Sequence, residues 1–368
     1  MSIPVLDLGA AYRELQGDID AAVARVLASG WYIGGGEVTA FEQDYAAYVG
    51  ADHCVGVGNG LDALHLVLLA LGVGPGDEVI VASNSFIATL LGVSMAGATP
   101  VLVEPDPVTH NLDPARVEAA ITPRTKALLP THLYGQSADL DPLLDIARRH
   151  GLKLVEDAAQ AHGATYKDQR IGAHGDAVTW SFYPSKNLGA MGDAGAVTTN
   201  DAALAERVRM LGNYGSSRRY VNEVRGVNSR LDPVQAAILG VKLRHLEEWN
   251  ERRCKIAAFY ARELDGSGLT LPVVPQWAGP VWHQYVIESD QREQLAARLG
   301  EAGIQTLVHY PIPPHLQQAY GDLAKPRGSF PIAERLAGRV LSLPMGPHLS
   351  PSQAQTVVET VRTARSGR

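Results

Sequence analysis

The chain has 368 residues, of which 46% are hydrophobic and 19% are charged, a composition typical of a globular protein with a large core. Its 39 acidic residues outnumber its 32 basic residues, and the net charge of −7 excludes an overall basic field that would hold nucleic acid or an anionic membrane. The sequence lacks a secretory-signal pattern, a long apolar run and paired cysteines, so we expect a cytoplasmic protein with no membrane partner, disulfide framework or metal site.

Short apolar segments alternate with helix-like segments through the first part of the chain. The strand-like segments are, in order, HCVGVG, DEVIVAS, TPVLVE, KALLPTHLYG and LKLVEDAA. The helix-like segments between them are LDALHLVLLALGV, FIATLLGVSMAG, DPARVEAAI and DLDPLLDIARRHG. Continuous apolar strands that alternate with helices predict an α/β fold whose mainly parallel central sheet is covered on both faces.

The pattern changes near Leu231, where one long amphipathic helix with no strand inside it is predicted. The segments VWHQYVIES, REQLAARLGEAGI and QTLVHYP then indicate a smaller α+β layer. We therefore predict a large α/β domain over residues 1–245 and a small C-terminal α+β domain over residues 246–368.

A sheltered lysine and an upstream acid are the first candidates for chemistry. Lys186 stands alone among small residues and glycines in FYPSKNLGAMGDAGAV, although a lysine ammonium is normally kept in water. Asp157 follows a predicted strand, at the carboxyl edge of the sheet where open α/β folds bind ligands, although it could also cap a helix. Pyridoxal phosphate needs such a pair, since a lysine holds the cofactor and an acid keeps its pyridine nitrogen protonated.

The same cofactor needs a stacking side chain and donors for its phosphate. The glycine-rich turn GVGNG leads into a helix beginning near Leu61, whose backbone N–H groups and dipole could hold a phosphate. Phe86 follows another predicted strand and could stack on the ring, and Ser181 could donate its hydroxyl to the phosphate. Each feature also has an ordinary alternative: a turn before a helix, a core aromatic or a local backbone hydrogen bond.

Taken together, these segments make the sequence resemble the DegT/DnrJ/EryC1/StrS family of sugar aminotransferases, which have the aspartate aminotransferase fold (fold type I). The resemblance runs almost end to end through GWYIGGGEVTAFE, GNGLDALHL, EDAAQAHGA, SFYPSKNLGAMGDAGAV, GVNSRLDPVQAAIL and HYPIPPHL. It implies that Lys186 holds the cofactor covalently and that Asp157 pairs with the pyridine nitrogen. It also implies that Gln160 contacts the phenolic oxygen and that Phe86 covers the ring.

The resemblance assigns the cofactor phosphate to Gly60, Leu61 and Ser181. Many relatives carry a hydroxyl residue where this chain has Leu61, so that contact is left to backbone N–H groups. Asn228, in GVNSRLD, matches the family position that reaches the partner's cofactor phosphate, whereas without the resemblance it would be interpreted as a turn residue. A homodimer with shared active sites is therefore implied.

The implied reaction moves an amino group from L-glutamate through pyridoxamine phosphate to a keto sugar, with Lys186 carrying the proton. The segment at 212–226 is predicted to be a mobile loop, and Arg218, Arg219 and Arg230 supply local cations for a nucleotide diphosphate. Stretches including VHYPIPPHLQQAY resemble members that aminate C3 of dTDP-linked 3-keto-6-deoxyhexoses. On that basis the residues that line the sugar pocket are Tyr183, His309, Tyr310 and His315, each of which could also be structural.

Several alternatives remain at this stage. One is amination at C4 of a nucleotide-linked 4-keto-6-deoxyhexose, which uses the same cofactor apparatus, and another is a fold relative that has lost catalysis. The related pyridoxamine-dependent sugar 3-dehydratases have histidine at the lysine position, so Lys186 argues against that reaction. A dinucleotide fingerprint is absent after the first predicted strand, which argues against an NAD-dependent oxidoreductase. The configuration at C4 of the hexose and the downstream pathway stay open.

Overall fold

The computed structural model describes residues 2–366, and its helices and strands follow the alternation predicted from the sequence. The helices are α1 Ala10–Ser29, α2 Gly36–Val49, α3 Gly60–Ala70, α4 Ile87–Met95, α5 Pro114–Val117, α6 Leu140–His150, α7 Ala202–Gly212, α8 Pro233–Leu243, α9 Leu246–Leu264, α10 Arg292–Glu301, α11 Pro331–Arg339 and α12 Pro351–Ser366. The strands are β1 His53–Val57, β2 Glu78–Ala82, β3 Thr99–Val103, β4 Thr125–Leu129, β5 Lys153–Asp157, β6 Thr165–Tyr166, β7 Gln169–Arg170, β8 Ala177–Ser181, β9 Gly195–Thr199, β10 Ser216–Arg218, β11 Val221–Asn222, β12 Ala278–Gly279, β13 Tyr285–Glu288 and β14 Val340–Leu343.

A seven-stranded sheet in the order β1-β9-β8-β5-β4-β2-β3 forms the centre of the fold. Strands β2, β3, β4, β5 and β8 pair in parallel, whereas β9 is antiparallel to both of its neighbours. Side chains alternate between two cores: Val79 and Val81 pack on one face, and Ile80 and Ala82 pack on the other. The predicted α/β class with a mainly parallel sheet covered on both faces is confirmed.

The ends of several strands meet at one edge of this sheet, where the site lies. Asp157 ends β5 and Ser181 ends β8, and Gly195 begins β9 directly opposite Ser181. A Cβ atom at Gly195 would stand 2.4 Å from the carbonyl carbon of Asn59, which caps α3. Only glycine therefore lets the α3 turn pack this closely against the ends of β8 and β9.

The prediction of one long helix from Leu231 is wrong in one respect. The segment forms two helices, α8 and α9, which are separated at Arg244 and His245. The interruption has a packing reason. Helix α8 lies against α1 and α2 beside the large sheet, whereas α9 packs against α12 in another core. The apolar periodicity continues through the break, so the sequence pattern alone did not reveal it.

A second, smaller core combines α9, α10, α12 and the antiparallel pair β13–β14. Ile3 joins this core, and its backbone N–H donates to the Gly303 carbonyl at 2.9 Å. The predicted boundary between residues 245 and 246 stays a prediction. Within residues 2–366, no helix is both long enough and apolar enough to cross a membrane, and no cluster of metal-binding side chains is found.

Candidate active site

Lys186 lies in the turn between β8 and β9, and neighbouring hydrogen bonds fix that turn. Its backbone N–H donates to the Tyr183 carbonyl at 2.8 Å. The side chain of the next residue, Asn187, is buried and donates to Asn250 Oδ1 and to the Val281 carbonyl, both at 2.9 Å. The turn that carries Lys186 is therefore held by its own backbone, by α9 and by the segment at Val281.

Burial lowers the pKa of Lys186 to about 8, although the nearby Asp157 carboxylate opposes part of this shift. An amine with such a pKa is unprotonated in roughly a tenth of the molecules at pH 7, a far larger share than for an ordinary surface lysine, so it can act as a nucleophile or base. The isolated position of Lys186 in the sequence predicted a nucleophile, and its lowered pKa agrees with that prediction.

Three histidines surround Lys186 and remain neutral. Burial and the lysine charge lower the pKa of His162 to about 3 and that of His309 to about 4, and they lower the pKa of His283 well below its usual value. His309 was predicted from the sequence, whereas His162 and His283 were missed. His162 stands inside the EDAAQAHGA segment, but a buried histidine in a core gives the same sequence signal.

Asp157 is buried at the carboxyl end of β5, and its hydrogen bonds come from neutral donors. The Thr89 hydroxyl donates to Oδ2 at 2.7 Å, and the Ala159 backbone N–H donates to Oδ1 at 3.2 Å. These bonds fix the direction of the carboxylate without neutralising its charge. Asp157 can therefore stabilise a positive charge on a group that lies beside it.

Gln160, Tyr310 and Phe86 form a connected group near Asp157. The Tyr134 backbone N–H donates to Gln160 Oε1 at 2.6 Å, which leaves the Gln160 amide nitrogen to donate to the Tyr310 hydroxyl at 3.1 Å. The Tyr310 ring centroid lies 5.0 Å from that of Phe86, whose side chain is 48% exposed. Tyr134 also donates its hydroxyl to the His309 carbonyl at 2.5 Å, and this connecting role was missed from the sequence.

The glycine-rich turn has the shape of a phosphate cradle. Gly60 begins α3, and a Cβ atom there would lie 2.6 Å from Ser181 Cβ, so only glycine allows the helix start to approach this serine. Asn59 caps the helix by accepting the Asp62 N–H at 2.8 Å. The first N–H groups of α3, including that of Leu61, therefore lie beside a hydroxyl donor, an arrangement that suits a phosphate.

The predicted sugar and diphosphate residues are less tightly grouped. The segment predicted as a loop contains the β10–β11 hairpin, in which Arg218 ends β10 and Arg219 follows it in the turn. Both arginines are exposed, and among residues 2–366 neither forms a hydrogen bond or ion pair with Lys186 or Asp157. The Arg230 guanidinium donates to Asn213 Oδ1 at 3.2 Å. Tyr183 is 54% exposed close to the lysine turn.

His315 is placed differently from the other predicted sugar residues. Its side chain is buried, its Nε2 lies 2.9 Å from Glu334 Oε1, and its ring packs edge-on against Phe330. Through these contacts His315 packs against α11 and the residue that precedes it. Its predicted role in the sugar pocket stays a prediction.

A cleft of about 720 Å³ opens beside the lysine turn, and Ser185, His283 and His309 form part of its wall. Among the described residues, its wall contains no aspartate, glutamate, lysine or arginine. The cleft therefore offers neutral hydrogen-bonding groups beside the turn that carries Lys186.

These residues fit pyridoxal phosphate. The chain offers an amine with a lowered pKa, a buried carboxylate with neutral partners, an exposed aromatic face and a turn whose glycine leaves room beside Ser181. These are the kinds of group that the cofactor's aldehyde, pyridine nitrogen, ring and phosphate require.

Comparison with known proteins identifies the family. The model of the DegT/DnrJ/EryC1/StrS aminotransferase family matches residues 13–362. The chain belongs to this family. Its members are pyridoxal phosphate-dependent sugar aminotransferases, so the predicted enzyme class and cofactor are confirmed.

Individual relatives cover nearly the whole chain. The erythromycin biosynthesis sensory transduction protein EryC1 of Saccharopolyspora erythraea is 60% identical, covering 98% of this chain and 99% of that protein. The dTDP-3-amino-3,4,6-trideoxy-alpha-D-glucose transaminase of Streptomyces venezuelae is 55% identical, with 98% and 95% covered. The dTDP-3-amino-3,6-dideoxy-alpha-D-galactopyranose transaminase of Aneurinibacillus thermoaerophilus is 52% identical, with 98% of each chain covered.

Solved structures agree with this assignment. The crystal structure of S. venezuelae DesV superimposes with a TM-score of 0.98 at 54% identity, covering 100% of this chain and 99% of that one. The structure of Bacillus subtilis NtdA with bound pyridoxamine phosphate gives a TM-score of 0.90 at 32% identity, with 98% and 85% covered. The aminotransferase fold predicted from the sequence is thus confirmed over the whole chain.

Proposed function

We propose that this aminotransferase moves the amino group of L-glutamate to C3 of a dTDP-linked 3-keto-6-deoxyhexose. The observation that carries the proposal is the Lys186–Asp157 site in a chain that is 55% and 52% identical to two transaminases named for dTDP-3-amino sugars. The sugars in the names of those two relatives differ at C4, but both carry their amino group at C3. This shared position favours amination at C3 over the C4 alternative. The configuration at C4 of the acceptor is left open by the same comparison.

A protein that keeps the fold but has lost catalysis is the alternative function, and the name of the relative EryC1 describes a sensory role. The chemistry of the present site supports an enzyme. Lys186 lies close enough to the buried Asp157 carboxylate for their charges to interact, and this pairing of an amine with a carboxylate is what catalysis with the cofactor requires.

Different residues of the chain would have separate roles in transamination. When bound, pyridoxal phosphate accepts the amino group and delocalises the electron pair left on the donor carbon. Asp157 would hold a positive charge on the pyridine nitrogen, and Lys186 would first hold the cofactor and then move the proton. Gln160 would donate to the phenolic oxygen, because its amide oxygen already accepts the Tyr134 N–H and its amide nitrogen has a second hydrogen besides the one given to Tyr310. Phe86 would cover one face of the ring.

The acceptor would be bound by two different surfaces. The neutral cleft beside His309 suits the hexose, since it contains hydroxyl, amide and imidazole groups among its described wall residues. The diphosphate requires cations, and Arg218, Arg219 and Arg230 supply them on or beside the loop. Tyr183 and Tyr310 would lie between the two surfaces, close to the reacting carbon.

The proposed assembly is a homodimer. The side chain of Asn228 is exposed on its own chain, and it would contribute to the phosphate site of a second copy, as the family resemblance implies. The cytoplasmic location predicted from the sequence stays a prediction.

An absorbance titration tests the proposed function. The purified protein with pyridoxal phosphate is expected to absorb near about 410 nm, and glutamate is expected to replace this band with one near about 330 nm as the cofactor becomes pyridoxamine phosphate. A dTDP-3-keto-6-deoxyhexose should then restore the first band, and the 4-keto isomer should not. Restoration by the 4-keto sugar alone would favour C4 amination, and a band that glutamate leaves unchanged would favour another donor or a protein without catalysis.

Replacement of Arg219 with alanine is expected to raise the KM for the nucleotide sugar by roughly tenfold to a hundredfold, because one charge-assisted contact to the diphosphate is lost. The KM for glutamate should stay nearly constant in steady-state kinetics, since glutamate carries no diphosphate. Arg116→Ala is the matched control, because Arg116 is exposed and paired with Asp113 on α5. Equal increases for both substrates would remove the loop from the binding model.

A further inference from the structure

The hydroxyl of Ser229 joins two segments that belong to different parts of the phosphate site. It accepts the Gly58 N–H at 2.9 Å and donates to Asp62 Oδ2 at 2.6 Å. Ser229 is buried, and Asp62 lies in the first turn of α3. The segment around residue 229 is thus attached by a charge-assisted hydrogen bond to the turn that begins with Gly58.

This bond is additional to the helix cap. Asn59 already caps α3 through its side-chain oxygen, and its amide group also donates to Asp62 Oδ2 at 3.1 Å. The helix start would therefore be satisfied without Ser229. The Ser229–Asp62 contact instead orients the segment that carries residue 229.

The neighbouring residue on that segment is Asn228, whose side chain is exposed. Its backbone pairs with Asn213 in an antiparallel bridge, and the Ser229 N–H donates to the Gly212 carbonyl at 2.8 Å. Successive side chains of extended backbone point to opposite faces. Ser229 therefore points into its own phosphate turn while Asn228 points away from it.

We propose that Ser229 and Asp62 are positioning residues that hold Asn228 in place for the partner's phosphate site. The inference rests on the proposed homodimer in which Asn228 reaches the second copy. The phosphate turn of each chain then has two tasks, because it binds its own cofactor and also orients the ligand that its chain supplies to the other site. The two active sites are coupled through this hydrogen bond.

Mixed dimers with two affinity tags can separate these tasks. One chain carries Lys186→Ala, so the absorbance of lysine-bound cofactor reports only the site of the other chain. Asn228 for that reporting site is supplied by the Lys186→Ala chain. Ser229→Ala is placed either on the Lys186→Ala chain or on the reporting chain, and pyridoxal phosphate is titrated at the visible band.

Ser229→Ala on the Lys186→Ala chain is expected to weaken cofactor binding at the reporting site about tenfold, as the loss of one hydrogen bond to a charged group predicts. Asn228→Ala on the same chain should have at least the same effect. Asp62→Asn keeps the shape and the helix cap but weakens the bond to Ser229, so it should give a smaller shift in the same direction. Circular dichroism confirms that each variant is folded.

The outcomes distinguish the coupling from the function on which it rests. An effect of Ser229→Ala only when it is on the reporting chain, with Asn228→Ala still acting across the dimer, would overturn the coupling and leave the shared site intact. A monomer by size-exclusion chromatography, or no effect of Asn228→Ala on the Lys186→Ala chain, would overturn both the coupling and the proposed shared site. Transamination by the wild-type protein is measured separately and is unaffected by either result.

Discussion

The Lys186→Ala variant is expected to lose the band of lysine-bound cofactor near about 410 nm and to reduce turnover by roughly 10⁵-fold or more, since no other group replaces the nucleophile. The fold should persist. Burial disfavours the ammonium, as the pKa of about 8 indicates, so removing the amine relieves a desolvation cost. Visible absorbance, single-turnover kinetics and a thermal melt of the cofactor-free protein measure these three expectations.

Lys242 provides the matched control, because it is buried and burial lowers its pKa, like that of Lys186, to about 8. Its Nζ donates to the Gly189 carbonyl at 2.6 Å, in the same turn as Lys186. Lys242→Met should keep the visible band and lower the melting temperature, since a buried carbonyl loses its donor. A band that survives in Lys186→Ala and disappears in Lys242→Met would show that the two lysines had been assigned the wrong way round.

Patterns local in sequence were sufficient for most of the fold and for the main chemical groups. The alternation of apolar strands and helices predicted the sheet, and Lys186 was conspicuous because a lysine rarely stands among buried small residues. Asp157 followed from its place at the end of a strand, which parallel sheets use for ligands. The remaining cofactor roles came from the family resemblance.

The residues that sequence analysis missed act through contacts that are distant along the chain. Tyr134 fixes the amide of Gln160 through a backbone N–H, a group that carries no side-chain signal. His283 hydrogen-bonds to Asn187, the residue after Lys186, although the two are 96 positions apart, and in the sequence it looks like an ordinary core histidine. Such contacts depend on how the sheet and the smaller core pack together, so no local pattern predicts them.

The break between α8 and α9 was missed for a related reason. Both helices keep an apolar stripe, and neither proline nor glycine marks Arg244 or His245. The chain turns there because successive apolar stripes are buried against different cores. Tertiary packing thus determines where α8 ends, and helix propensity does not predict this boundary.

The second large effect is expected for Asp157→Asn, which should lower kcat by roughly 10²- to 10⁴-fold because a buried positive charge on the pyridine nitrogen loses its carboxylate. The amide can still accept the Thr89 hydroxyl, so the local geometry should be kept. Lysine-bound cofactor should therefore still form and absorb in the visible range. Rapid-mixing kinetics with glutamate measure the loss as a slower disappearance of that band.

Glu156→Gln is the control for this substitution, since Glu156 is the adjacent carboxylate in β5 but lies on the opposite face. Its Oε2 lies 2.9 Å from His132 Nε2, and its Oε1 accepts the Gly175 N–H at 2.8 Å. Removing its charge should lower the melting temperature and leave the glutamate half-reaction within a few-fold of wild type, because strand side chains alternate between faces. If instead the two variants slowed that half-reaction equally, Asp157 would be acting through the stability of β5, and the charge on the pyridine nitrogen would need another partner.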